Sequence, residues 1–488
     1  MGLMKTWLRN PVTLRFFACF LLLAITGCAS RTQFTPAAQS PPPPDQLQAG
    51  MAEIDITPPV GYRLAGDFKE RLATGTHDPL KAKALILRQG NEQIALVICD
   101  LVGLSLNVTT NARARASRAT GIPVSHIILA ATHSHTGPLF DDVRRDYFHN
   151  LALATNGEDP HETIYYPTFL VERLVKAITQ AQARLEPVEV AAGIANRPGL
   201  TFNRRYHMKN GSVATNPGIL NSNIISPAGP VDSQVGILLV KSRQRQQALG
   251  GLTIFAMHAD TVGGTDFSAD YPYYIEQTLR NAFSQNYISL FGAGTCGDLN
   301  HIDVSKRPAL SGFDLSEHLG SSIAETVIKD LPQLDAIQKP ALAVKSKTLI
   351  LPLQTATPEE VTEAKMNMAQ LNNPKFDFTT KVKAVKALDL TSRDPTLLAE
   401  VQVVRLDNDT AIVCLPAEIF VELGLAIKKA SPFKTTFVIS ICNDRPSYVP
   451  TLKAFQEGSY EVTNSRLKAG SGEAMVETAS QLLKELKE

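Results

Sequence analysis

Short apolar runs suited to strands alternate with longer stretches carrying apolar residues at helical spacing, from about Gly50 to the end of the chain, and this interleaving limits the folds open to it. Ala82–Arg88 and Ile94–Asp100 flank Gly90-Asn91, a hairpin signal. His126–Ala131, Val231–Lys241, Leu252–His258 and Ile288–Phe291 read as further strands, with helices expected over Thr163–Leu185, Tyr271–Phe283, Leu315–Asp330 and Pro358–Leu371. Strands Glu400–Leu406 and Thr410–Leu415 pair across Asp407-Asn408-Asp409, followed by a helix Phe420–Lys429, a strand Thr436–Cys442 and a last helix Glu473–Lys487. Hairpins mixed with crossovers exclude one purely parallel sheet, so the expected class is α/β, with mixed β-sheets covered by helices in a single large domain. With 44% apolar residues the chain can fill such a core, and its 48 basic and 47 acidic residues leave no electrostatic footprint for nucleic acid.

The first residues read as an address. Lys5, Arg9 and Arg15 precede an apolar run, Phe16 to Ile25, that is too short to span a membrane and ends at Ile25-Thr26-Gly27-Cys28, similar to a bacterial lipoprotein cleavage box. The expectation is a signal peptide over 1–27, lipidation of Cys28, and a Pro-rich spacer over 28–48 containing Pro41 to Pro44. Ala29 and Ser30 lack the aspartate that tends to retain lipoproteins at the inner membrane, so the expected location is the outer membrane of a bacterial envelope. Of the six cysteines, Cys99, Cys414 and Cys442 lie in apolar strand-like runs and read as buried, inert thiols.

Several segments carry residues with chemistry. His133 and His135 follow an apolar strand; in extended chain they would project to one side as a metal ligand and an acid/base partner. His258 ends another apolar run, where it reads either as a hydrogen-bonded core residue or as a site residue. Phe291 to His301 is glycine-rich, and its Asp298 could bind a metal or a neighbour. Cys296 in the same turn is a nucleophile only if a base lies beside it. Glu418, between a strand and a helix, reads equally as a helix cap. Tyr448 and Tyr460 lie in a Gly/Pro-punctuated stretch where tyrosines ordinarily pack.

Taken in order, AEIDITPP, GTHDPL, THSHTGP, NRRY, FAMHAD, SADYP, TCGDLN, LPAE and SYVPT resemble the amino-terminal catalytic domain of neutral/alkaline, non-lysosomal ceramidases over roughly 400 residues. The resemblance implies that 49–488 is a catalytic domain using Zn2+ to cleave an amide in a small N-acyl or sphingolipid-like substrate. It implies zinc ligands at His133, His258, Glu418 and Tyr448. His135 would be the acid/base or polarising group, Arg204 (with Arg205 adjacent) would hold an oxyanion, and Tyr460 would stand near the site. A tyrosine ligand must lose a proton ordinarily held to about pH 10, a cost that a neighbouring dication offsets.

The chain departs from the family where its nucleophilic serine would stand in a Gly-Asp-x-Ser-Pro stretch: here Gly297-Asp298-Leu299 leads to Asn300, which cannot attack an amide. Water activated at zinc is then the expected attacker, with His135 or His301 moving protons. With Glu488 as its last residue, the chain is also expected to lack the family's immunoglobulin-like carboxy-terminal domain. A noncatalytic surface lipoprotein binding a lipid or glycan is the alternative. A two-metal phosphoesterase, resting on Asp260, Asp266 and Asp298, ranks below both.

Overall fold

A computed structural model describes residues 46–488. The lipidation site Cys28, the signal segment and nearly all of the spacer lie outside them. The spacer ends earlier than its composition suggests: Leu47 and Gln48 already belong to the first strand.

That strand, β1 (Leu47–Asp55), lies inside a nine-stranded mixed sheet. Its long partners are β2 (Lys81–Gln89), β3 (Glu92–Cys99), β4 (Ile127–Ala131), β5 (Glu186–Asn196), β6 (Gln234–Ser242), β7 (Ala248–Phe255) and β8 (Ile288–Ala293). Their spatial order is β8-β7-β6-β5-β1-β2-β3-β4, with the short strand Asp335–Ala336 added beside β5. The β2–β3 hairpin closes over Gly90-Asn91 with Gln89 facing Glu92. Within this sheet the β3–β4 and β7–β8 pairs are parallel and the others antiparallel.

A second, four-stranded sheet runs β9 (Ala343–Pro352), β10 (Thr396–Arg405), β11 (Thr410–Cys414), β12 (Thr435–Ile439). The two sheets pack face to face. Leu85 and Leu87 of β2, Leu96 and Ile98 of β3 and Leu238 of β6 share one apolar layer with Val404, Ile412 and Phe437 of the second sheet. The alternate residues Ala82, Ala84 and Ile86 point the other way, toward helices α1 (Leu106–Thr120), α2 (Tyr166–Ala183), α3 (Tyr271–Ala282) and α4 (Gly312–Asp330). This explains why these strands read as continuous apolar runs: both faces are covered. Two small helices, α5 (Pro358–Met368) and α6 (Phe378–Thr391), form a hairpin of their own. Helices α7 (Val421–Ala430) and α8 (Ser471–Lys487) cover the outer face of the second sheet, completing a helix–sheet–sheet–helix stack.

The two ends of the large sheet are brought to one place. Beyond β12, Ser440 N donates to Ala293 O at the end of β8 (2.9 Å), while Ala131 N at the end of β4 donates to Ile441 O (3.3 Å). The chain leaving the second sheet therefore runs between the carboxyl ends of β4 and β8, and there the histidine motifs begin.

Candidate metal centre

Strand β4 stops at Ala131, and His133 takes φ +69, so the extended His-x-His arrangement does not form. The two rings meet by another route. Ser134 forms a parallel bridge with Ala259, its hydroxyl donates to Ser268 O (2.6 Å), and His135 N donates to Ala259 O (3.0 Å). The turn so held sets the imidazoles 84° apart, with their Nε2 atoms 3.4 Å from each other. Gly66 lies against this turn at φ +87, where any Cβ would strike the His135 backbone.

His258 lies three residues beyond β7 and is fully buried. Its Nδ1 is 2.8 Å from Cys296 O and 3.0 Å from Leu299 O, and His133 Nδ1 is 2.7 Å from Val102 O. Backbone carbonyls only accept, so each Nδ1 carries the hydrogen and each Nε2 presents a lone pair to the centre. The bland reading of His258 as a hydrogen-bonded core residue holds for one nitrogen only.

Glu418 and Tyr448 arrive together. Glu418–Ile419 and Tyr448–Val449 form a two-stranded parallel bridge with Glu418 directly opposite Tyr448. The residue before each is bent into positive φ, Ala417 at +74 and Ser447 at +128. Ser459, before Tyr460, takes φ +81. Non-glycine residues in such conformations cost of order 1–3 kcal/mol each and cluster where a site imposes its geometry.

Glu418 Oε2 lies 3.3 Å from His133 Nε2 and 3.6 Å from His258 Nε2, is buried, and has no hydrogen-bond partner among the described residues. Burial pushes this carboxyl up, but the facing His133 and His258 rings hold it well below the usual range. His258 is itself pushed down by burial and by the Arg204 charge, and His135 by burial and by His133. Glu418 Oε2 and the Nε2 atoms of His133 and His258 thus converge on one point. The ligating nitrogens of His133, His135 and His258 also lie within 4.8 Å of one another. A divalent cation of zinc's type fits this donor set: two imidazole Nε2 atoms oriented through carbonyl-bound Nδ1–H groups, and an unpaired carboxylate oxygen. Tyr448, its ring stacked at 17° and 6.4 Å from His258, borders the same cleft. Burial and then Glu418 push its phenol well up, so it holds its proton unless a cation displaces it.

Arg204 reaches the centre from the opposite wall. Its Nη1 is 3.4 Å from His258 Nε2, Nε pairs with Glu461 (2.8 Å), and Nη2 donates to Gly297 O (2.7 Å). The guanidinium carbon lies 5.4 Å from the Tyr448 ring and 5.9 Å from that of Tyr460. Arg205 instead pairs with Glu457.

The other expected residues of the glycine-rich turn do not enter the cleft. Asp298 takes its alternative role toward a neighbour: Oδ1 accepts from Val421 N at the start of α7 and Oδ2 from Asn203 Nδ2, both at 2.8 Å. Asn300 is locked, donating to Asn216 Oδ1 and accepting from Ile302 N, both at 3.0 Å. Cys296 is buried, which pushes its thiol well up, and its carbonyl serves His258. Cys99, Cys414 and Cys442 are buried free thiols. His301 pairs with Asp260 (3.1 Å), a carboxylate whose field reaches His135 and His258.

The cleft, about 90 Å³, is lined by His133, His135, Glu418, Tyr448 and Tyr460, and also by Arg393 and Arg445. The sequence reading passed over these two arginines, although Arg445 stands three residues before Tyr448. A cavity of about 450 Å³ between α5 and α6 contains none of the expected site residues. A second acidic group, His149, Asp159 and Glu162, is already neutralised by Arg63 and Arg145.

No family model matches the chain. It is 22% identical over 278 residues to a neutral ceramidase of Pseudomonas aeruginosa, a match covering 54% of this chain and 38% of that relative. Among solved structures it is similar to a ceramidase complexed with C2, with a TM-score of 0.69 and 17% identity over 91% of this chain and 75% of that one. The neutral ceramidase of Pseudomonas aeruginosa itself gives 0.67 and 18% over 90% and 75%. In its fold, this chain is neutral ceramidase-like.

Proposed function

We propose that the protein is a zinc-dependent amidase acting on an N-acyl compound, with His133, His258, Glu418 and Tyr448 as the metal ligands. The observation that carries this reading is the buried, unpaired Glu418 Oε2 facing two imidazole lone pairs. A cation held there would polarise the scissile carbonyl and make water acidic enough to attack near neutral pH.

The chain's own residues supply the rest. His135, its Nε2 3.4 Å from His133 Nε2, takes the proton of the attacking water and returns it to the leaving amine. Arg204, already held by Glu461 and Gly297 O, steadies negative charge on the carbonyl oxygen without having to reorganise. Tyr460, tilted 68° against Tyr448 at 5.5 Å, fixes that phenol's orientation. Water is the attacker because Asn300 cannot be one, and its two hydrogen bonds hold it out of the cleft.

The lipoprotein-like start adds that the enzyme is tethered through Cys28 to a bacterial envelope membrane, with the outer membrane favoured. No helix of the described residues is long and apolar enough to cross a membrane. A binding protein on the same fold is the second reading, favoured by Asn300 alone. Elemental analysis of purified protein, run beside a panel of N-acyl substrates, separates them. One zinc per chain with amine release supports the amidase, and zinc without turnover of any amide supports the binding protein. Protein free of zinc overturns the metal assignment.

A further inference from the structure

We infer that Arg445, with Arg393 beside it, forms a carboxylate-binding subsite next to the metal centre, and that the substrate is an N-acyl amino acid rather than a neutral N-acyl lipid. As a statement about substrate, the inference rests on the amidase reading above.

Four arginines line the cleft, Arg144, Arg393, Arg445 and Arg466, against three carboxylates, Asp142, Asp389 and Glu418. Two of the four are spent. Arg144 grips both oxygens of Asp142 and donates to Asp67 O. Arg466 pairs with Asp389 (2.8 Å) and donates to Asn464 O (2.6 Å).

Arg445 is not spent. Its side chain makes no hydrogen bond among the described residues, and its nearest carboxylate oxygen, Glu418 Oε1, is 3.8 Å from Nη1, beyond bonding reach. It is nonetheless held in place, because its stem lies across Gly103, where any Cβ would strike its Cδ and Nε. Arg393 uses only Nε, on Asp389 Oδ1 (3.0 Å), and leaves both terminal nitrogens open. Asp444 directs Oδ1 to the Arg445 backbone amide (2.8 Å). Both arginines also border the adjoining cavity of about 270 Å³, so the pair stands between the metal centre and a second chamber.

A planar guanidinium with free donors matches a carboxylate in a two-point grip and is less strongly hydrated than an ammonium. In an N-acyl α-amino acid the carboxyl carbon is two bonds from the amide nitrogen. With the carbonyl at the metal centre and Arg204, that carboxylate would fall on the Glu418 side, where Arg445 waits. A ceramide-type substrate offers hydroxyls and long chains instead, and would leave these donors facing apolar matter in a small, charged cleft.

The test is titration calorimetry of the purified full chain with an N-acyl glycine and with the neutral N-acyl glycinamide of the same acyl chain, amine release being followed in parallel. The acid should bind about tenfold or more tightly than the amide. Arg445→Gln should reduce that preference to about threefold or less with zinc content and melting temperature unchanged, and Arg445→Lys should fall between. Equal binding of acid and amide, or a full preference retained in a folded Arg445→Gln, overturns the subsite. Preferential binding without amine release would remove the amidase reading and leave the subsite standing; release from both compounds without preference would do the reverse.

Discussion

Replacing Glu418 by glutamine should raise stability in the absence of metal and forfeit that gain when metal is present. Chelated wild type buries a carboxylate oxygen against the Nε2 atoms of His133 and His258, 3.3 and 3.6 Å away, with no hydrogen-bond partner among the described residues. An orphaned buried group of this kind costs about 1–3 kcal/mol. In Glu418→Gln the amide NH2 can donate to one of those nitrogens, so the chelated variant should be the more stable protein. With zinc at about a thousand times its dissociation constant, wild type gains about 4 kcal/mol through binding. Loss of a ligating oxygen weakens affinity by about a hundredfold or more and removes about 2.7 kcal/mol of that gain. For a chain of this size each kcal/mol moves the melting temperature by about 1–2 °C. Thermal melts with chelator and with zinc should therefore differ: the variant stands a few degrees above wild type in the first, and in the second it loses about 3–5 °C of that lead, ending level with wild type or below it. Curves displaced equally and in the same direction under both conditions would refute the reasoning, because Glu418 would then be an ordinary structural carboxylate.

Other substitutions test neighbouring parts of the account. His133→Ala should abolish zinc retention in elemental analysis together with any amide hydrolysis, and unchanged zinc content would remove His133 from the ligand set. Asn300→Ser should raise amidase turnover if the hydroxyl is all that is missing, while lowering stability by about 1–2 kcal/mol through the lost contacts with Asn216 and Ile302; stability loss without any gain in rate would confirm water as the only attacker. Burial raises the Asp444 carboxyl to about 6. Its folded form therefore keeps a proton across about pH 4–6 that the unfolded chain has released, and wild-type stability falls as pH rises through that window. Asp444→Asn should consequently be about 2–3 kcal/mol more stable than wild type at pH 8, with the advantage fading toward pH 4 in denaturant titrations; an advantage independent of pH would show that ionisation is not its source.

Much of the scaffold was legible because it is locally encoded. The β2–β3 hairpin, the last helix and the strand ending at Ala131 follow from turn residues and apolar spacing, which act between near neighbours. What the periodicity hid was β1, in a stretch read partly as spacer, the strands β5 and β9, the helix α6, and α1, whose alanines and arginines give little apolar contrast. The same locality misled at the His-x-His motif. An extended chain was the natural expectation after a strand, but His133 sits at φ +69, its ring held by Val102 and the two residues after it by Ala259, partners with no local trace in the motif.

The sequence by itself determined the alternation of strands and helices, the two-sided apolar runs that demand covered sheets, and the placing of histidines just past strand ends, since each depends on residues adjacent along the chain. Only the tertiary structure decided that Glu418 would stand opposite Tyr448, that Asp298 and Asn300 would be spent on neighbours, and that the Arg445 side chain would be left beside the centre without a hydrogen bond among the described residues. Those outcomes depend on strand register and on competition for hydrogen-bond partners between segments tens to hundreds of residues apart, and no window of sequence contains both competitors.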